Sequence, residues 1–141
     1  VLAVFFLLAW KTVLLYELIK ILPVREMAVY LLAIPAMARY QSLLQLAFVP
    51  AFQNKGMAYM WKQYLARKDL IISFCLLVPL VAIKPFLFVL ILAQMLFAFL
   101  FGKWVIRQFK GINGDLVGAS IEGAELWNLS LLYIYILSVM G

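Results

Sequence analysis

Histidine is absent, cysteine occurs once, and acidic side chains number only six in 141 residues. With Cys75 alone, no disulfide can close within the chain, and no zinc or haem site can be built from Cys and His clusters. Cys75 lies inside an apolar run and reads as a small buried hydrophobe. Charge is scarce as well: 13% of residues are charged and 68% hydrophobic, with a mean hydropathy of +1.08. Soluble domains use roughly 45–50% apolar residues. A small soluble domain leaves much of its area exposed, so it could not hide this much apolar surface. Lipid is part of the solvent.

What charge there is falls mostly between the apolar runs, with a net value of +6. That balance suits anionic headgroups or phosphorylated substrates. No segment offers the basic, solvated, aromatic-bearing domain that nucleic-acid binding wants, and nucleic acid is set aside as a partner.

A membrane-spanning helix needs about 20 mostly apolar residues. The runs predict an all-α, polytopic helical bundle, a single transmembrane domain with about five spans, at 1–22, 28–49, 70–83, 85–101 and from about 115 to 140. The third is short for a crossing, and Lys84-Pro85 joins it tightly to the fourth as a helical hairpin. Segment 53–69 interleaves Lys55, Lys62, Arg67 and Lys68 with Tyr59, Trp61 and Tyr64. Met57, Met60, Trp61 and Leu65 fall near one face, the pattern of an interfacial amphipathic helix. Segment 102–114 is a second basic connection, carrying Lys103, Arg107 and Lys110. Alternation puts both basic connections on one side, against Lys20, Arg25 and Lys84 on the other. Positive residues mark cytoplasmic loops, so the basic face, the start of the last helix and Val1 are expected at the cytoplasmic side of the inner membrane.

Chemistry concentrates in the last helix. Asp115, Glu122 and Glu125 are spaced at seven and then three, which places them with Gly118 in an arc of roughly 80° at about 100° per residue. Gly118 keeps that stripe free of a side chain. Gly111 and Gly114 flank Asn113, a strong turn signal. Asp115 could simply cap the helix, but the helix dipole fades beyond the first turn and does not account for Glu122 or Glu125. Aligned carboxylates without His or Cys favour a hard cation such as Mg²⁺. Lys103, Arg107 and Lys110 lie just upstream, where they could neutralise phosphate. Together these parts point to metal-assisted phosphoryl transfer. Lys11 and Arg39 are the remaining charges inside spans, where charge is expensive. Lys11 could pair with Glu17 or snorkel along the helix, and Arg39, with Gln41 and Gln45 nearby, suggests a polar seam.

The segment GINGDLVGASIEGAE, residues 111–125, resembles the C-terminal signature of adenosylcobinamide-GDP ribazoletransferases, also called cobalamin 5′-phosphate synthases. That signature reads roughly G-x-T-G-D-x-x-G-A-x-x-E-x-x-E. Gly111, Gly114, Asp115, Gly118, Ala119, Glu122 and Glu125 match it, and Asn113 stands where the family has Thr. Lys11, the run from Pro35 to Arg39 and the Lys55-Gly56 turn are similar to family features. The resemblance extends over all 141 residues but over only the C-terminal two-thirds or so of a typical member. The family's upstream Asp-rich motif would precede Val1 and help bind the metal, so an upstream segment or a second chain is expected to complete the site.

The resemblance implies a Mg²⁺-dependent membrane transferase that joins adenosylcobinamide-GDP to α-ribazole, or its 5′-phosphate, and releases GMP. It implies Asp115 and Glu122 as metal ligands, Glu125 as a third ligand or base, and Arg39 meeting a phosphate. Two other readings compete: a membrane alcohol phosphotransferase, whose several-Asp motif is not found here, and a small transporter or non-catalytic membrane subunit.

Overall fold

Apolar runs punctuated by proline, glycine and basic residues fold into six helices among the described residues of the computed structural model. They are α1 (Leu2–Ile21), α2 (Val24–Phe48), α3 (Met57–Tyr64), α4 (Arg67–Ile83), α5 (Phe86–Phe109) and α6 (Gly114–Met140). The structure describes residues 2–141, so Val1, expected to open the first span, lies outside the described residues. There is no β-strand among the described residues, only an isolated bridge between Ala51 and Ile112.

Four helices (α1, α2, α5 and α6) are long and apolar enough to cross a membrane. The fifth expected span, α4, has 17 residues, about 25 Å of helix at 1.5 Å per residue, against a hydrocarbon core of about 30 Å. Their outward faces are apolar. Only 11% of the apolar stretch of α1 is buried, and Phe5, Phe6, Leu8 and Trp10 all point outward. Water would oppose such exposure at roughly 25 cal/mol per Å², whereas lipid does not. Cys75 is on this outer surface. Its helix packs inward mainly through Leu77, so the expectation of burial fails.

α6 sits at the centre, packed against α2, α5 and α1. One core cluster joins Leu14 and Leu18, Tyr30 and Ile34, Leu87 and Leu90, and Leu129 and Leu132. A smaller cluster at one end gathers Leu46, Val49, Ala58, Val105, Ile112 and Val117. At that end the connector after α2 meets the connector before α6. The Phe52 N–H donates to the Ile112 carbonyl at 2.9 Å and the Ile112 N–H to the Pro50 carbonyl at 2.7 Å. At the opposite end Phe86 stacks on Tyr135 at 3.7 Å, and Lys84 pairs with Glu26.

Two sequence expectations change at the basic end. α5 does not stop at residue 101 but continues to Phe109. Lys103 and Arg107 therefore stand on a helix, and the connection shrinks to the residues around Gly111. The apolar run ends earlier than the helix because a helix needs only satisfied backbone, not continuous hydrophobicity. Segment 53–69 does form a short surface helix, α3, whose Met57, Met60 and Trp61 stay exposed. Its Lys62 ammonium donates to the Val49 carbonyl at 2.7 Å and the Leu46 carbonyl at 3.1 Å. A cation there satisfies orphan carbonyls at the end of α2 and complements its dipole.

The polar seam of α2 also lies elsewhere than expected. Gln41 and Gln45 are buried, but Gln45 donates to the Ala98 carbonyl of α5 at 2.6 Å, not toward Arg39. Gln94 donates to the Met37 carbonyl and accepts from Asn128. These bonds tie α2, α5 and α6 together where no water competes. Gln94 and Asn128 escaped the sequence reading because a single amide in an apolar run carries no periodic signal.

Candidate functional site

The turn into α6 is shaped by close backbone approach. α5 ends with Lys110 in the left-handed region at φ 60°, a conformation that costs a non-glycine residue about 1–2 kcal/mol. Gly111 follows, pressed against the other connector. A Cβ there would stand 2.6 Å from the Phe52 nitrogen and 2.8 Å from the Ala51 carbonyl carbon. Gly111→Ala should therefore separate the paired connectors and destabilise the chain by about 1–3 kcal/mol, on the scale of overpacking. Thermal unfolding in detergent measures this, and an unchanged midpoint would show that the connectors yield freely.

Asn113, not Asp115, caps α6: its side-chain oxygen accepts the Leu116 N–H at 2.9 Å. The departure from the family's Thr thus retains the local role, since both residue types cap helices. Asn113→Ala should cost about 1 kcal/mol and Asn113→Thr much less, read from the same melting curves. Equal losses in the two variants would mean that capping is not what the position supplies.

With the cap supplied by its neighbour, Asp115 is left exposed in the first turn. The other carboxylates are engaged. Glu17 pairs with Lys20, Glu26 with Lys84, and Asp69 accepts the Ala66 N–H. Glu122 and Glu125 meet Lys11. Asp115 alone has no ion pair or side-chain hydrogen bond among the described residues. Beside it, a Cβ at Gly118 would meet nothing within 4 Å, so that position leaves the face open.

Two to three turns into α6 lies a cluster of four charges. The Lys11 ammonium is 3.0 Å from Glu122 and in direct contact with Glu125, whose other oxygen is 3.7 Å from Arg39. Lys11 belongs to α1, Arg39 to α2 and the glutamates to α6. Two cations against two anions make the group neutral, which lowers the cost of charge at membrane depth. The expected Lys11–Glu17 pair does not form. Six residues along a helix is about 600°, or 240° around it, so the two side chains diverge. Arg39 also donates to the Pro35 carbonyl at 3.1 Å, yet much of its side chain is exposed, at 66%.

Sequence spacing therefore grouped three carboxylates that the structure divides. Glu122 and Glu125, at i and i+3, converge on one ammonium. Asp115 stands two turns from Glu122, about 10.5 Å along the axis. Among the described residues no three Asp, Glu, Cys or His side chains cluster closely enough to hold a metal between them. Mg²⁺ asks less than that. It is usually held by one or two carboxylates and completes its shell with waters and substrate phosphates, and the unpartnered Asp115 carboxylate fits that demand. Of the expected phosphate-binding cations, Arg39 borders the charge cluster and Lys110 adjoins the glycine turn. Arg107 is exposed on α5. Lys103 lies over the Phe99 ring at 4.4 Å and lines a groove between α2 and α5.

This arrangement defines a class: a polytopic membrane protein with a carboxylate pair neutralised by cations from neighbouring helices and, at a glycine turn on its basic face, a carboxylate unpaired among the described residues. Within that class the chain belongs to the cobalamin-5-phosphate synthase family, whose sequence profile matches residues 1–133. It is similar to the adenosylcobinamide-GDP ribazoletransferase of Halalkalibacterium halodurans, 32% identical over 142 residues, covering 94% of this chain and 53% of the relative. The enzyme of the same name from Geobacillus thermodenitrificans is 30% identical over 145 residues, covering 96% of this chain and 53% of the relative. The chain thus spans about half the length of the curated relatives it matches. No solved structure matches it significantly.

Proposed function

We propose that the chain forms the membrane-embedded part of a transferase that joins adenosylcobinamide-GDP to α-ribazole or its 5′-phosphate and releases GMP. The observation that carries this reading is the Asp115 carboxylate. It is held without a partner at a turn built by Gly111 and Asn113, within a segment that matches the family signature. A ribazole hydroxyl would attack the cobinamide-side phosphorus. The new P–O bond replaces the bond to GMP, and the hydroxyl proton passes to a base. The leaving nucleotide and the diester both carry phosphate charge, so catalysis rests on positioning and charge stabilisation.

Mg²⁺ is the proposed cofactor; Asp115 would hold it, with Glu122 as the second candidate ligand. When bound, it would neutralise charge on the diphosphate. The chain's own residues do the rest. Lys110 and Arg39, which keep unused N–H donors, contact phosphate oxygens. Glu125, being buried and paired, orients Lys11 and Arg39 instead of serving as the base. The basic face, with the turn and Asp115, is the cytoplasmic side of the inner membrane by charge bias. A segment upstream or a second chain contributes the remaining ligands.

The test is GMP release from adenosylcobinamide-GDP and α-ribazole by membranes that contain this chain, with and without Mg²⁺. Metal-dependent release supports the transferase reading. Activity only after the upstream half of a relative is supplied would place part of the site there. Silence in both cases would overturn the reading and favour a non-catalytic membrane subunit or transporter.

A further inference from the structure

We propose that the groove between α2 and α5 holds one anionic phospholipid, its phosphate at Lys103 and an acyl chain along Met95 and Phe99. The groove has a volume of about 340 Å³ and is lined by α2, its capping residue Val49 and α5, with Leu44, Phe48 and Ala98 among the lining residues. Its walls are apolar apart from Gln45 and Lys103. Gly102 opens the inner wall, since a Cβ there would stand 3.1 Å from the Gln45 side-chain oxygen, which has no hydrogen-bond donor.

Charge selects the occupant. Lys103 sits six residues before Phe109, about 9 Å inside the end of α5, and its ammonium folds back over Phe99 at 4.4 Å. No carboxylate pairs with it among the described residues, and none lines the groove. An unpaired ammonium at that depth is costly, and the quadrupole of Phe99 offsets only about 0.5–2 kcal/mol. Arg107, four residues on, continues the same face of α5. The face therefore turns from apolar to basic toward the membrane surface. That is the profile of a phospholipid, with chains in the apolar stretch and phosphate among the cations. The same helix face would leave a neutral lipid with the two charges of Lys103 and Arg107 uncompensated.

The test uses the purified chain in a neutral detergent, with dioleoyl phosphatidylglycerol or dioleoyl phosphatidylcholine added. Native mass spectrometry counts retained lipid, and thermal unfolding reads its effect. One retained phosphatidylglycerol is expected. The midpoint should rise by on the order of 5 °C near saturation, with little response to phosphatidylcholine. Lys103→Gln should remove the preference, and Ala98→Phe should block retention by filling the groove, with circular dichroism showing that both variants remain folded. Equal retention of the two lipids, or an unchanged preference in Lys103→Gln, would overturn the proposal. So would equal stabilisation by glycerol 3-phosphate, which would make the site one for a free phosphate. A change in oligomeric mass instead of lipid count in Ala98→Phe would assign the groove to a second copy. None of these readings depends on transferase activity.

Discussion

Replacing Lys11 with methionine should destabilise the chain by about 3–5 kcal/mol, the usual cost of removing one partner from a buried ion pair. Glu125 is the reason. Only 9% of its side chain is exposed, and without Lys11 its nearest cation is Arg39 at 3.7 Å. Glu122, at 45% exposure, can reach water or a headgroup and suffers less. The second substitution locates the effect: Lys11→Met combined with Glu125→Gln should recover most of the loss, because no uncompensated charge then stays buried. Thermal unfolding of the four members of this double-mutant cycle measures the coupling. If the double variant melts as low as Lys11→Met alone, Lys11 supports the bundle through its packing and the charge argument fails.

Replacing Asp115 with asparagine should reduce GMP release roughly 100-fold or more, the scale reported when a group that handles a metal or developing charge is lost. The same change should cost no more than about 1 kcal/mol of stability, since the carboxylate contributes only its interaction with the helix dipole. The separation of the two effects follows from the structure. Asn113 already caps α6, and Asp115 makes no ion pair or side-chain hydrogen bond among the described residues. Asparagine preserves size and polarity while removing the charge. Wild-type turnover in this variant would take Asp115 out of the site. A large drop in melting temperature would instead mean that it holds the turn together.

The two substitutions thus probe the two parts into which the structure divides the acidic stripe, the unpaired Asp115 and the Glu122–Glu125 pair that meets Lys11. Periodicity alone could not make that division. Spacings of seven and three predict a shared face, and α6 does present them so. They do not say which carboxylate meets a cation from another helix, because Lys11 and Arg39 are 111 and 86 positions from the residues they meet. Arg39 is expensive at membrane depth, and the structure sets it 3.7 Å from Glu125 with much of its side chain exposed. For Lys11 the local pairing with Glu17, one of the two local readings, gives way to Glu122 and Glu125, because a partner remote in the chain is not visible along it.

Other features were legible to different degrees. The glycine at 111 marks a turn in any reading, but its necessity comes from the Pro50–Phe52 backbone lying against it. The end of α5 was misplaced because hydropathy falls at Gly102 while backbone hydrogen bonding continues to Phe109. Lys103 and Arg107 then became residues of a helix face instead of a loop, which separates them from the turn at Lys110.

By itself the sequence determined the solvent, the helical class, the basic face and the signature from Gly111 to Glu125, because composition, run length and short-range spacing are properties of the chain alone. Tertiary structure decided which charges neutralise one another, which carboxylate is left free, and which cation lines the groove between α2 and α5. Those outcomes depend on distances between helices that are remote in sequence, and at membrane depth the strength of a charge is set by what stands within a few ångströms of it.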